Sequence, residues 1–225
     1  MSEVVAIVEG QTEQTFVRDQ LAAHLGSRGT TIWAVLPGRT RRQGGVKEWP
    51  IARADIIRTL HEGRYCTTMF DYYAMPASWP GRSASKALPW RERAKHVEDA
   101  VLENIAAAMG GSFNPAQFIP YVQLHEFEAL AFADIQTLAE VTAPLIAAQL
   151  VAPLAQHYQS VLDEVGHPEA INDSYETCPS RRITARVAAY RKRVHGPIVT
   201  RRIGLDILRA RCDHFAAWLT KLEAL

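Results

Sequence analysis

The most constraining feature of the chain is a short run near its start, Val4-Val5-Ala6-Ile7-Val8, closed by Glu9-Gly10. A continuous β-branched run ended by a turn signal has no polar face, so it predicts a strand covered on both sides, as in a parallel sheet. The sequence beyond it alternates in the same sense. Thr12 is placed to cap a helix over residues 13–25, with Phe16, Val17, Leu21 and Leu25 on one face and glycines closing it. Further strands are predicted at 31–36, at 65–70 ending on Asp71, and at 117–124. Helices are predicted over 51–60, over 91–109 and from about Glu126. Loops fall at 37–45, which is rich in glycine and arginine, and at 76–89, where proline, glycine and serine cluster.

Strand–helix alternation implies right-handed crossovers and an α/β fold: a mostly parallel central sheet flanked by helices. After residue 126 the pattern is helical, with a turn-rich break at 166–180. The expected organisation is therefore an α/β core over 1–140 and a helical C-terminal part over 141–225, packed as one globular unit. With 225 residues, 48% apolar and 22% charged, the chain sits in the globular range, which excludes disordered and collagen-like classes. Its apolar runs are too short to span a bilayer. Acids flank the first run where an export signal carries positive charge, and Cys66, Cys178 and Cys212 have no paired spacing. Free thiols in a reducing cytoplasm are the expectation.

A net charge of +1 conceals a strong segregation. Between Lys95 and Arg181 there is no lysine or arginine, whereas 181–211 carries ten of them against a single acid, Asp206. A second basic stretch holds Arg39, Arg41, Arg42 and Lys47. Five of the 25 basic residues are lysine, so the rest are arginine, whose planar fork matches phosphate geometry. A charge run alone is compatible with a solvated helix face. Basic stretches beside an acid-only interval suit an enzyme that holds a cation with carboxylates and phosphates with arginines.

The acids that bear on this lie at strand ends: Glu9 after the first strand, Asp71 after the third, and His125-Glu126-Phe127-Glu128 after the fourth. In open α/β sheets the ligand binds at the carboxyl ends of the strands. Hard oxygen ligands there suit Mg²⁺ or Mn²⁺. Each acid taken singly also reads as a turn former or a first-turn residue that complements a helix dipole. Other motifs fail. His125-Glu126 is followed by Ala129 where a zinc-protease helix needs its second histidine. There is no Walker A loop and no dinucleotide fingerprint, so the chain carries no ATP motif. Gly81-Arg82-Ser83 lacks the second glycine of a nucleophile elbow. Of the five tryptophans, core packing is expected for at least three.

Several stretches taken together resemble domain-of-unknown-function family 4276, a group similar to Toprim proteins, the fold of topoisomerases, primases and overcoming-lysogenization-defect nucleases. They are residues 8–16, Phe70-Asp71-Tyr72-Tyr73-Ala74-Met75-Pro76, residues 121–130, Ile171-Asn172-Asp173 with Glu176-Thr177, Pro179-Ser180-Arg181-Arg182, and the tail from Tyr190 to Trp218. A Toprim site uses a glutamate after the first strand and an Asp-x-Asp after a later one to hold Mg²⁺. The resemblance assigns those roles to Glu9 and Asp71, while Tyr73 stands where the second aspartate belongs. Glu126 or Glu128 is then a further metal ligand, with Asp173 and Glu176 as additional candidates. Thr12, Arg181, Arg182, Arg191 and Lys192 are assigned to phosphate or nucleic acid, Glu13 is a further candidate, and His125 is either a general base or a positioning group.

Two functions are compatible with these residues. One is a metal-dependent nuclease or related phosphodiester hydrolase acting on nucleic acid, with a separate ATPase partner in anti-phage defence, as the resemblance implies. The other is a non-catalytic nucleic-acid-binding or regulatory subunit, in which the acids only organise a polar core.

Overall fold

The computed structural model describes residues 2–38, 48–171, 174 and 176–225. Asp173 and the basic stretch Arg39, Arg41, Arg42 and Lys47 lie outside the described residues. The chain divides into two compact units, Met1–Gln123 with Trp218–Leu225, and Leu124–Ala217.

In the first unit the apolar run becomes β1 (Ser2–Val8), fully covered from Val4 onward. Next comes a helix in three parts, α1 (Gln11–Phe16), a π-helical segment (Val17–Leu21) and α2 (Ala22–Gly26), then β2 (Thr30–Val35), α3 (Trp49–His61) and β3 (Tyr65–Asp71). The unit continues with a short α4 (Arg82–Ser85), the long α5 (Trp90–Met109), and two brief strands, β4 (Phe118–Ile119) and β5 (Val122–Gln123). All pairings are parallel, in the order β2-β1-β3-β4, with β5 also on β3. The predicted α/β sheet is therefore observed. From β1 the chain moves outward to β2, then returns past β1 to β3. Right-handed crossovers consequently put the first helix on one face and α3 and α5 on the other. The successive connections from β1 and β3 run in opposite directions, so the topological switch point lies between these two strands.

Three sequence expectations are corrected. Thr12 is not the cap of the first helix. Gly10 takes that position with extended backbone, its carbonyl accepts the Gln14 N–H at 3.1 Å, and Thr12 is buried in the first turn. A Cβ at residue 10 would meet Glu13 Oε2 at 3.2 Å, so glycine admits the close approach of that carboxylate. The second correction concerns the strand expected over 117–124, which splits in two at Pro120-Tyr121, because proline offers no ladder donor. Side chains take over there. Thr67 Oγ1 donates to the Ile119 carbonyl at 2.6 Å, Thr68 Oγ1 exchanges two 2.9 Å bonds with the Tyr121 backbone, and buried Glu98 accepts the Val122 N–H at 2.8 Å.

In the second unit, the helix expected from Glu126 is instead a 3₁₀ segment, Phe127–Ala133, every residue of which is buried. The side chains of Glu126 and Glu128 both reach the Lys192 ammonium. Residues two apart on an α-helix point to different faces, so that shared target is incompatible with an α turn here. Helices α6 (Ile135–Thr142), α7 (Val151–Val165), α8 (Pro179–Thr184), α9 (Lys192–Ile203) and α10 (Leu205–Arg211) follow, and α11 (Asp213–Glu223) starts in this unit and ends in the last segment of the first. Asp134 caps α6 through the Thr137 N–H, and α7 stops on Gly166 at φ 79°, a left-handed turn that suits glycine. Between α7 and α8 the described residues include a short 3₁₀ turn, Pro168–Ala170.

Among the described residues no helix is long and apolar enough to cross a membrane. Trp49, Trp79 and Trp218 are buried, in line with the core role expected for three tryptophans.

Candidate functional sites

The switch point carries two of the predicted acids. Glu9 follows β1 and Asp71 ends β3, and the adjacent strands bring them together. The Glu9 N–H donates to the Met69 carbonyl at 3.0 Å, continuing the parallel ladder one residue past β1. Its carboxylate turns across to β3, where Oε2 accepts the Asp71 backbone N–H at 2.9 Å. Glu9 is half-buried and Asp71 is 8% exposed. Both acids thus lie at the carboxyl ends of adjacent strands, the end of the sheet where α/β proteins bind ligands. Thr12 and Glu13, both buried, lie in the first turn of α1, where the negative charge of Glu13 complements the helix dipole.

Tyr73 is half-buried just beyond Asp71. Its neighbour Tyr72 is fixed more firmly. The Tyr72 N–H donates to the Gln123 carbonyl at 3.0 Å, its hydroxyl meets Ser85 Oγ at 2.9 Å, and the Arg82 guanidinium lies over its ring at 4.0 Å. Arg82 Nε also donates to the Tyr72 carbonyl at 3.2 Å, and burial lowers the pKa of this guanidinium. Sequence reasoning missed Arg82 as the residue that supports the turn after β3. The only available signal was an arginine inside a proline-rich loop.

The second unit assembles another group by itself. Lys192, at the start of α9, places its ammonium 3.0 Å from Glu126 Oε1 and 3.3 Å from Glu128 Oε2. Glu126 Oε2 also accepts the Ser180 N–H at 3.1 Å, which ties α8 to the same carboxylate. Glu128 and His125 are each 1% exposed and Glu126 is 6%, whereas the Lys192 side chain is 44% exposed. The Tyr190 hydroxyl is buried beside them and has no hydrogen-bond partner among the described residues. Burial pushes this phenol well above its ordinary range, and the charges of Glu128, Tyr158 and Glu126 act in the same direction.

The predicted phosphate-binding arginines differ in their partners and exposure. Arg182 bonds Glu164 at 2.8 Å and the Thr177 carbonyl at 3.3 Å, while Arg191 donates to the carbonyls of Ala188 and Tyr190. Arg181 is exposed, as is Glu176, which accepts a bond from Ser174 Oγ. Among the described residues no group of three or more histidine, cysteine or acidic side chains is arranged to hold a metal ion. All three cysteines are buried free thiols, and burial raises the pKa of each.

The chain is thus an α/β protein with a parallel sheet and two acids, Glu9 and Asp71, at the ends of adjacent strands. The chain belongs to the domain-of-unknown-function family DUF4276, whose family model matches residues 8–223. No curated protein and no solved structure matches it.

Proposed function

We propose that this protein is a nuclease, a divalent-metal-dependent phosphodiester hydrolase in which Glu9 and Asp71 hold the metal. The observation that carries the reading is the Glu9–Asp71 hydrogen bond across the switch point. The donor set fits the ion. Mg²⁺ is commonly held by only one or two carboxylates, its other positions being filled by water and substrate phosphate oxygens. A carboxylate oxygen has two acceptor directions, so the bond from the Asp71 N–H leaves Glu9 able to ligate. When bound, Mg²⁺ or Mn²⁺ supplies Lewis-acid polarisation of a phosphoryl oxygen and lowers the pKa of attacking water.

Within this reading the protein residues have separate tasks. Glu9, anchored to the β3 backbone, fixes one ligand direction, and Asp71, held in the sheet, fixes the other. Exposed Arg181 and its basic neighbours supply phosphate affinity without sequence preference. Resemblance to Toprim proteins supports the same chemistry, and the absence of an ATP motif is in keeping with a separate ATPase partner in cytoplasmic anti-phage defence. Glu9→Gln and Asp71→Asn test the assignment: both are expected to abolish metal-dependent cleavage while leaving nucleic-acid binding in place.

Tyr73, standing where a second aspartate would complete the site, favours a second reading, a non-catalytic nucleic-acid-binding or regulatory subunit. Under that reading the acid substitutions alter stability alone, and substitutions among the tail arginines weaken binding.

A further inference from the structure

A cleft of about 500 Å³ opens in the second unit, between the segment around Ile146 and Leu150, one face of α7, and Arg186 just after α8. That volume falls within the range of small-molecule sites. One part of its wall is apolar, with Ile146, Leu150, Pro153 and Leu154. The other is polar, with His157 and Arg186 foremost, and none of the described lining residues is acidic. Ile146 is 49% exposed, so a large apolar side chain stands at the rim with nothing over it.

Two groups at the polar end are incompletely paired among the described residues. His157 Nε2 is buried without a hydrogen bond, and no carboxylate pairs with the exposed Arg186 guanidinium. A buried ring nitrogen left unbonded costs free energy that a ligand atom would recover. Burial and the nearby charge of Arg186 hold the imidazole below its ordinary pKa, against a smaller opposing effect from the Arg182 backbone. The polar end of the cleft is thus electropositive, and its opposite wall is aliphatic.

We infer that this cleft binds a small amphipathic anion, with a carboxylate or phosphate head against Arg186 and His157 Nε2 and an apolar body over Leu150, Pro153 and Leu154. An anion there offsets the guanidinium, so the imidazole takes up a proton and donates to the head group. No residue of this cleft belongs to the Glu9–Asp71 site, and the inference stands apart from the nuclease reading.

The test is nuclear magnetic resonance on the full chain with labelled histidine, titrated with octanoate and with phenyl phosphate. Acetate, inorganic phosphate and octanol serve as controls. The inference predicts saturable binding of at least one amphipathic probe, with movement of the His157 ring signals and titration of His157 at higher pH in the saturated protein. Preference between the two probes tells carboxylate from phosphate. Arg186→Gln weakens binding by about tenfold or more, the effect of losing one charge-assisted contact. Because Arg186 is exposed and pairs with no carboxylate among the described residues, the thermal midpoint of this variant is expected to stay close to wild type. Ile146→Ser weakens binding of the same probe through its body alone. If neither probe moves the His157 signals, if acetate or phosphate binds as well as the amphipathic probes, or if Arg186→Gln binds like wild type, the inference is wrong.

Discussion

Asp71 donates its backbone N–H to the carboxylate of Glu9 across the two central strands, at 2.9 Å. A glutamate side chain therefore extends the pairing of β1 and β3 beyond the point where backbone bonding stops. The same bond orients a carboxylate at the carboxyl ends of the strands, which links the architecture of the sheet to its proposed chemistry.

The structural share of this bond is separable from its charge. Glu9→Gln retains a carbonyl oxygen for the Asp71 N–H and is expected to change stability by less than about 1 kcal/mol. Glu9→Ala removes the acceptor and costs about 1–3 kcal/mol. Urea denaturation of the two variants measures the difference, and equal losses would contradict the hydrogen-bonding role.

Trp218 closes the first unit from the far end of the chain. Its ring stacks on Tyr121 at 4.3 Å and 14°, and its Nε1–H donates to Thr67 Oγ1 at 2.8 Å, the hydroxyl that also bonds Ile119. Trp218→Ala is expected to destabilise by about 3–5 kcal/mol, read from the same denaturation. A loss under about 1 kcal/mol would show that the C-terminal segment is dispensable to the sheet.

In the second unit, Lys192 neutralises two buried carboxylates from a half-exposed position. Lys192→Met leaves Glu126 and Glu128 buried without their cation. The expected cost is about 1–3 kcal/mol, smaller than for a fully buried pair because water reaches the ammonium. Adding Glu126→Gln and Glu128→Gln restores much of that loss. A triple variant no more stable than Lys192→Met would argue against the ion pairs as the source.

Acid sensitivity follows from His157. Burial and Arg186 hold its folded-state pKa below the ordinary histidine value near 6.5. As pH falls through that ordinary value the unfolded chain binds a proton that the folded chain refuses, so stability declines. His157→Gln is expected to make the decline from pH 7 to pH 5 shallower. An unchanged slope in a pH series of unfolding midpoints would contradict the assignment.

What the sequence revealed follows from how local each signal is. The run from Val4 to Val8 and the acids after β1 and β3 are short-range patterns, and they identify both the parallel sheet and the carboxylates at its switch point. Where the outcome depends on distant partners, the pattern misled or was silent. Residues 126–133 have the composition of a helix, but Lys192, far along the chain, draws Glu126 and Glu128 to one side. Glu98 reads as an ordinary acid on a helix face, yet it satisfies the Val122 N–H at the sheet. Glu169 is 1% exposed and accepts the N–H groups of His214 and Phe215, each at 3.0 Å, at the start of α11. Nothing near residue 169 in the sequence signals that pairing. The resemblance assigned Arg182 and Arg191 to phosphate, whereas they are engaged with Glu164 and with backbone carbonyls.

The most direct test of the central claim is calorimetric titration of Mg²⁺ and Mn²⁺ into wild type, Glu9→Gln and Asp71→Asn, with DNA and RNA cleavage assayed on the same preparations. The account predicts metal binding and metal-dependent cleavage by wild type. In the variants, both should fall by about a hundredfold or more, with folding and nucleic-acid affinity retained. Cleavage that survives in either variant, or metal binding that is unchanged by both, would contradict a metal site built from Glu9 and Asp71.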